Sequence, residues 1–420
     1  MTPSVTPTHP SAPPIVIIGA GAAGLMAAAH AAAGPRPVIL LEGSSRPGQK
    51  ILISGGGRCN VLPERATAGD FVSDGSPNLV RKILAAWPLA EVRRFFEADL
   101  GVPLKVEAET GKLFPASDRA RTVLDALLAA ATQRGAELRL GAQATALARE
   151  GDGWLVRLAS GETMRASRVI LATGGLSIPA TGSDGAGLRM AQALGHTVVP
   201  PYPALVPLTG STPAHRALAG VSLPVTIWAA QSSSVFHPSS FVSSRGGFLF
   251  THRGYSGPAV LNISHVATRA LLEGAPPPPI FVQWAALNAA AWEARLREDR
   301  RPPLALLREH LPERLGALLL AEAGLADVAA AQMRRDERRK LAARLARYPL
   351  PYAGHEGYKT AEVTGGGVPL AEVNAATLES RVAAGLYLCG ELLDAFGPIG
   401  GYNFLWAWVT GRAGGLAAAG

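Results

Sequence analysis

The chain has 420 residues, 48% apolar and 17% charged, with a formal net charge of +8. The length predicts two or three domains, and the balance excludes a disordered polymer. The basic surplus admits a nucleotide or nucleic-acid partner without requiring one.

Residues 1–14, MTPSVTPTHPSAPP, are rich in Pro, Ser and Thr and lack a basic start, so they read as a loose tail rather than a signal peptide. The two cysteines, Cys59 and Cys389, form no CxxC pair and no metal-ligand cluster. Neither a disulfide framework nor a metal site is expected, and the chain reads as cytoplasmic. Residues 15–34 are uncharged over the length of a membrane span. Their glycines and alanines argue instead for a nucleotide motif and no membrane.

That motif is PPIVIIGAGAAGLMAAAHAAAG. Ile15 to Ile18 is a short apolar run, as expected of a strand buried on both faces. Gly19, Gly21 and Gly24 follow with GxGxxG spacing, then an Ala-rich helix. Gly19 permits the tight turn, Gly21 lets backbone approach a pyrophosphate, and Gly24 lets the helix pack on the strand. The helix N-terminus offers N–H donors to phosphate, so the run Gly19, Ala20, Gly21, Ala22, Ala23, Gly24 reads as a dinucleotide cradle. A second apolar run, Val38 to Leu41, ends in Glu42 and Gly43; an acid there accepts from ribose hydroxyls. This unit alone does not separate FAD from NAD.

The next segment, GSSRPGQKILISGGGRCNV, does. Lys50, Ser54, Gly55, Gly56, Gly57, Arg58, Cys59 and Asn60 stand where an NAD dehydrogenase would continue with a helix and strand. A Gly-rich loop lets backbone lie against a flat ring system. Lys50 and Arg58 are candidates to balance phosphate or reduced-flavin charge; a loop salt bridge is the alternative for Arg58. In GKLFPASDRARTV, Ser117 and Asp118 precede a helix whose first turn holds Arg119 and Arg121. Capping is the default there, and anion binding the alternative.

RVILA at 168–172 is another buried strand, followed by Thr173, Gly174 and Gly175; Ala172 to Gly175 form an ATGG signature of two-domain flavoproteins. Gly185 to Gly187 open a helix without a preceding buried strand, so they do not make a nicotinamide site. Residues 197–283 hold short strands such as VTIWAA, SFVSS, GFLF and IFVQW. Within them, Ser256, Gly257 and Pro258 look like a helix start with Ser256 as cap. His252 just before it is either a proton donor or a structural histidine. Residues 284–347 read as helices. The last, 332–347, carries Arg334, Arg335, Arg338, Arg339, Lys340, Arg344 and Arg347 against Asp336 and Glu337. An RNA-facing helix would look like this, as would a solvated helix with intrahelical pairs. No aromatic residues interleave with its arginines.

The C-terminal segment GLYLCGELLDAFGPIGGYNFLWAWVTGRAGG contains a short strand, then Gly390 and Glu391, then Gly400, Gly401, Tyr402 and Asn403 opening an apolar helix. A helix N-terminus aimed at the flavin stabilises negative charge on it. With SGGGRCN and ATGG, this segment makes FAD the expected ligand.

The combination of GAGAAG, KILISGGGRCN, GKLFPASDRA, LATGG, FTHRGYSGPAVL, TGGGV and GELLDAFGPIGGYNF resembles the BaiN/RdsA-type (YhiN-like) family of NAD(P)/FAD-dependent oxidoreductases, from about residue 14 to the C-terminus. The chain departs from that pattern at Val61, Leu62 and Pro63, where a Thr/Ser-Asn pair usually stands. The resemblance implies an α/β fold: a glutathione-reductase-type, Rossmann-like FAD domain (15–196 and 357–420), interrupted by a β-barrel-like insert (197–283 and 348–356) carrying a helical subdomain (284–347). It also implies reduction of an activated C=C bond by hydride from the flavin, on substrates such as steroid-like enones or a uridine in ribosomal RNA. NAD(P)H is the expected electron donor. It would dock transiently at the flavin, since no second strand–GxGxxG–helix–strand–acid unit exists. Candidate catalytic proton donors are Cys59, Tyr402 and His252. Two other readings stand: an RNA-modifying enzyme forming dihydrouridine in rRNA, and a flavin-binding redox protein without a dedicated substrate. The oligomeric state is not legible.

Overall fold

A computed structural model describes residues 12–210, 212–230, 241–325 and 333–420. The first eleven residues of the expected tail, Ser240 of SFVSS and Gln332 of the basic helix lie outside these. The chain divides into two compact units, Met1–Pro201 with Val363–Gly420, and Tyr202–Glu362.

The first unit is built on a parallel five-stranded sheet. Its order is Leu386–Leu388, Arg168–Leu171, Ile15–Ile18, Val38–Glu42, Ala136–Leu140. Ile15–Ile18 is fully buried and central, with Ile15 opposite both Val38 and Arg168. β-Branched residues with no polar alternation suit a strand covered on both faces. The chain leaves this strand toward Val38 on one side, and Arg168–Leu171 enters on the other. Such a reversal opens a crevice at the carboxyl ends of the strands, where doubly wound sheets bind ligands.

Two helices close against this sheet, Ala22–Ala31 and Tyr402–Ala419. They meet backbone to backbone. A Cβ on Gly411 would stand 2.4 Å from the Ala23 carbonyl oxygen, and one on Gly415 would stand 2.4 Å from that of Ala27. The alanines and glycines of both helices are therefore a packing requirement. Two small antiparallel sheets complete the unit. One joins Leu62–Pro63, Lys112–Pro115 and Leu104–Glu107; the other joins Ala144–Glu150, Gly153–Leu158 and Thr163–Ala166.

The second unit is a seven-stranded antiparallel sheet, ordered Tyr348–Pro349, Ile280–Gln283, Ser222–Ala230, Phe241–Phe250, Gly254–Ser256, Leu208–Gly210, Tyr352–His355. Among the described residues no ladder joins its two edge strands. SFVSS and GFLF, expected as separate strands, belong to one strand, Phe241–Phe250. Gly246 and Gly247 pair with Val225 and Pro224 and lie against the start of helix Pro258–Leu272. That helix is capped by Gly257, not by Ser256, which ends the strand Gly254–Ser256. Helices Ala289–Glu298, Pro303–Leu307, Glu313–Ala323 and Arg335–Ala346 bury Trp292, Leu296, Leu319, Leu341 and Leu345 in the same core as the sheet. No helix of the described residues is long and apolar enough to cross a membrane.

Candidate functional site

The cradle glycines occupy three distinct environments. Gly19 has φ +102°, and a Cβ there would stand 2.6 Å from the Ala172 carbonyl oxygen. A Cβ on Gly24 would lie 1.8 Å from the Gly19 carbonyl oxygen. Gly21 has nothing within 4 Å on that side and opens to the cleft. Helix Ala22–Ala31 starts here, so its first N–H groups point outward without intrahelical partners.

Glu42 ends its strand at the same mouth. Its Oε2 accepts from the Ala20 N–H at 2.9 Å, and Oε1 accepts from the Ser44 N–H at 2.9 Å and the Ser44 hydroxyl at 2.8 Å. A carboxylate accepts about four hydrogen bonds. One position is left for a ribose hydroxyl, and a second opens if the Ser44 hydroxyl turns away.

The cleft holds about 370 Å³, within the range of small-molecule sites. It is lined by Gly19, Gly21, Ala22, Ala23, Glu42, Gly43 and Lys50 from the first half of the motif set, and by Ala172, Thr173, Gly174, Gly390 and Glu391 from the second. Ser44, Arg46, Gln143, Ser183 and Asp184 also line it. Nothing in their spacing marked them, because single polar residues in connecting loops carry no period.

Lys50 and Glu391 form an ion pair at 2.7 Å. The Lys50 ammonium also donates to the Ser177 hydroxyl at 2.6 Å, which donates to Glu391 Oε1 at 2.6 Å. Thr364 adds its N–H at 2.9 Å and its hydroxyl at 2.8 Å to the same oxygen. Burial acts to raise the Glu391 carboxyl, but the Lys50 charge and the hydrogen bonds from Lys50, Ser177 and Thr364 outweigh it and hold the group below the usual Glu value. Gly175 lies outside the cleft lining: a Cβ there would stand 2.4 Å from Thr364 Oγ1, so its place in ATGG is one of packing.

The SGGGRCN segment differs from a plain loop. Gln49–Gly57 is helical at its start and breaks at Ser54, Gly55 and Gly56. Ser54 donates its hydroxyl to the Ile51 carbonyl at 2.8 Å. Gly55, Gly56 and Gly57 are exposed, with φ of +56°, +67° and +84°. Such a run exposes backbone with no side chain in the way. Arg58 pairs with Glu107 at 3.2 Å, and its guanidinium lies 4.0 Å from the Phe114 ring centre. The salt-bridge alternative therefore describes it, and it lies outside the cleft lining.

Cys59 is fully buried, and burial pushes its thiol up to about 12 against a hydrogen bond with Ser54. With no exposed atom, it has no surface to offer a reacting group. Asn60, with its amide nitrogen toward the Leu62 carbonyl, donates there at 3.2 Å and accepts from the Gly401 N–H at 3.2 Å. This joins SGGGRCN to GPIGGYN. Gly401 has φ +92° and caps helix Tyr402–Ala419; a Cβ on it would stand 2.5 Å from the Leu62 carbonyl carbon. Gly400 has φ +130°. Asn403 spends its amide on the Gly397 N–H and carbonyl, both at 2.9 Å, so it closes the loop. Tyr402 is half-buried with its ring centre 6.1 Å from that of Phe71; burial and the Asp70 charge raise its phenol. His252 is exposed on the turn between strands Phe241–Phe250 and Gly254–Ser256 of the second unit.

Most arginines of the basic helix are engaged by the protein itself. Arg334 pairs with Glu337, Arg339 with Glu293 and Arg344 with Glu322. Arg338 donates to the Met333 carbonyl, and Arg347 lies over the Phe281 ring. Among the described residues, Arg335 and Lys340 are the cations of this helix without such a contact.

A match to the HI0933-like protein Rossmann domain spans residues 13–417. A ribosomal RNA dihydrouridine synthase of Escherichia coli (strain K12) is 35% identical over 413 residues, covering 95% of this chain and 96% of the relative. A 3-dehydro-bile acid delta(4,6)-reductase of Clostridium scindens is 34% identical over 414 residues, covering 96% and 98%. The chain belongs to the HI0933-like Rossmann family, the BaiN/RdsA-type family of flavoprotein oxidoreductases.

Proposed function

We propose that this chain is an FAD-dependent oxidoreductase that takes electrons from NAD(P)H and reduces a C=C bond conjugated to a carbonyl. The observation that carries the reading is a cleft joining the GAGAAG turn, the ribose acid Glu42 and the Lys50–Glu391 pair in a chain whose relatives are named for one kind of bond change. Uridine C5=C6 beside C4=O and a 3-oxo-Δ4,6 steroid are both conjugated enones. Bound in the cleft, FAD would supply the hydride.

The chain's own residues bind and orient. Glu42 takes the adenosine ribose. The first N–H groups of helix Ala22–Ala31 and the Lys50 ammonium meet the phosphates. Exposed Gly55–Gly57 backbone and the start of helix Tyr402–Ala419 receive the ring system, where N–H donors favour negative charge. The Tyr402 phenol and the His252 imidazole are the candidate proton donors to the substrate α-carbon; buried Cys59 is set aside. The chain is read as cytoplasmic.

The test is anaerobic. NADH and NADPH are each mixed with the FAD-loaded protein, and then a panel of enones and uridine-containing rRNA fragments is offered as oxidant. Reoxidation with saturation of the C=C bond supports the proposal; reduction that no C=C oxidant reverses favours a redox protein without a dedicated substrate. The RNA reading draws on the 35% relative and the net charge of +8. Its check is the dihydrouridine content of rRNA in a deletion strain: unchanged content would exclude it.

A further inference from the structure

We infer that Ser177 and Thr364 are positioning residues for Lys50: acting through Glu391, they hold its ammonium with one remaining N–H toward the phosphates of a dinucleotide in the cleft. The inference rests on the FAD reading of the cleft, and not on the reaction.

The charge balance of the cleft wall asks for such a device. The wall carries Arg46 and Lys50 against Glu42, Asp184 and Glu391. A dinucleotide diphosphate adds two negative charges to a wall already richer in acid than base. Arg58, the other cation marked by its motif, is engaged with Glu107 and Phe114 elsewhere. Arg46 sits at the ribose end, where its N–H donates to the Ser44 hydroxyl oxygen at 3.3 Å. Lys50 stands beside Gly174, whose Cβ, if present, would be 4.0 Å from the ammonium. It is therefore the cation beside ATGG.

A lysine has a flexible stem and three N–H donors. Two of them are committed here, to Ser177 Oγ at 2.6 Å and Glu391 Oε2 at 2.7 Å. The Ser177 hydroxyl has one proton, and it points to Glu391, so its lone pair faces Lys50. Thr364 sets both partners at once. Its hydroxyl accepts the Leu176 N–H at 2.7 Å and the Ser177 N–H at 3.1 Å, and donates to Glu391. Ser177 and Thr364 are 0% and 2% exposed and line no part of the cleft, so neither touches the ligand. Their effect passes through Lys50, whose rotamer is fixed before the ligand arrives. Ordering a long side chain in advance lowers the entropy cost of binding.

The test is titration of folded apoprotein with FAD at several salt concentrations, using Lys50→Met, Lys50→Arg, Ser177→Ala, Thr364→Val and the Lys50→Met/Ser177→Ala double variant. Apoprotein melting checks each fold. Lys50→Met is expected to weaken FAD binding at least about tenfold and to flatten its salt dependence, because one charge contact is gone. Lys50→Arg keeps the salt dependence. Ser177→Ala and Thr364→Val weaken binding about three- to tenfold, and Ser177→Ala costs nothing further once Lys50 is Met, the sign of a shared pathway. If Lys50→Met fails to fold, the same cycle is run with Lys50→Gln. Wild-type affinity and salt dependence in a folded Lys50→Met protein, or full additivity in the double variant, would overturn the inference while leaving FAD binding intact. Failure of the wild-type apoprotein to take up FAD would overturn the FAD reading as well.

Discussion

The carbonyl oxygen of Gly19 occupies the space that a side chain on Gly24 would need, 1.8 Å from the Cβ position. Neither backbone can yield without moving the central strand or the helix after it. Gly24→Ala is therefore expected to cost about 3 kcal/mol or more, the upper range for overpacking. Gly21→Ala, with open space at its Cβ, should leave apoprotein stability within about 1 kcal/mol and weaken FAD binding at least about tenfold. Urea denaturation of the apoproteins and FAD titration separate the two glycines. Equal stability loss in both would contradict the assignment.

The motif offers Arg58 as a cofactor cation or as a loop salt bridge, and the structure gives it to Glu107 and Phe114. The side chains of Arg58 and Glu107 are each more than a third exposed. Removing the guanidinium should cost no more than about 1 kcal/mol and leave FAD affinity unchanged. A tenfold loss of affinity in Arg58→Ala would return it to the cofactor site.

Cys59 should resist alkylation in the native protein, since burial pushes its thiol up to about 12. Cys59→Ala is expected to keep substrate-dependent flavin reoxidation at a similar rate. Fast labelling by iodoacetamide at neutral pH, or loss of reoxidation in a folded variant, would restore it as a proton donor.

His30 provides a pH test of the helix packing. Its Nδ1 lies 2.9 Å from the Met26 carbonyl oxygen, and its ring packs against Trp87 and Phe95. Burial lowers its value to about 4, with the charges of Arg412 and Arg134 adding to the effect against the Met26 hydrogen bond. The unfolded chain binds a proton near pH 6.5 that the folded protein refuses until about pH 4. Stability from this group is thus full above about 6.5 and falls as pH drops, by up to about 1.4 kcal/mol per unit. His30→Leu should flatten the stability profile over that window. An unchanged slope would contradict it.

Periodic and repeated features were legible in the sequence. The buried strands, the glycine turn, Glu42 at a strand end and the start of the C-terminal helix each follow from local pattern. What escaped was pairing between distant loops. Ser177 and Thr364 are single hydroxyl residues in Gly-rich stretches, and only the fold brings them to Glu391. The motifs of Gly175 and Asn403 point to ligand contacts; the structure uses one to make room for Thr364 and the other to close the Gly397 loop. The basic helix shows the same limit. Its arginines are dense in sequence, yet Glu293 and Glu322, which take two of them, lie on other helices. His252 sits on a turn of the second unit, a placement that spacing alone does not give.

The most direct measurement is anaerobic reoxidation of the NAD(P)H-reduced, FAD-loaded protein by a conjugated enone or a uridine-containing RNA, followed by mass analysis of the product. The account predicts that one of these restores the oxidised flavin spectrum and gains two hydrogens across its C=C bond. A flavin that NAD(P)H reduces, and that oxygen but no conjugated C=C compound can reoxidise, would contradict it.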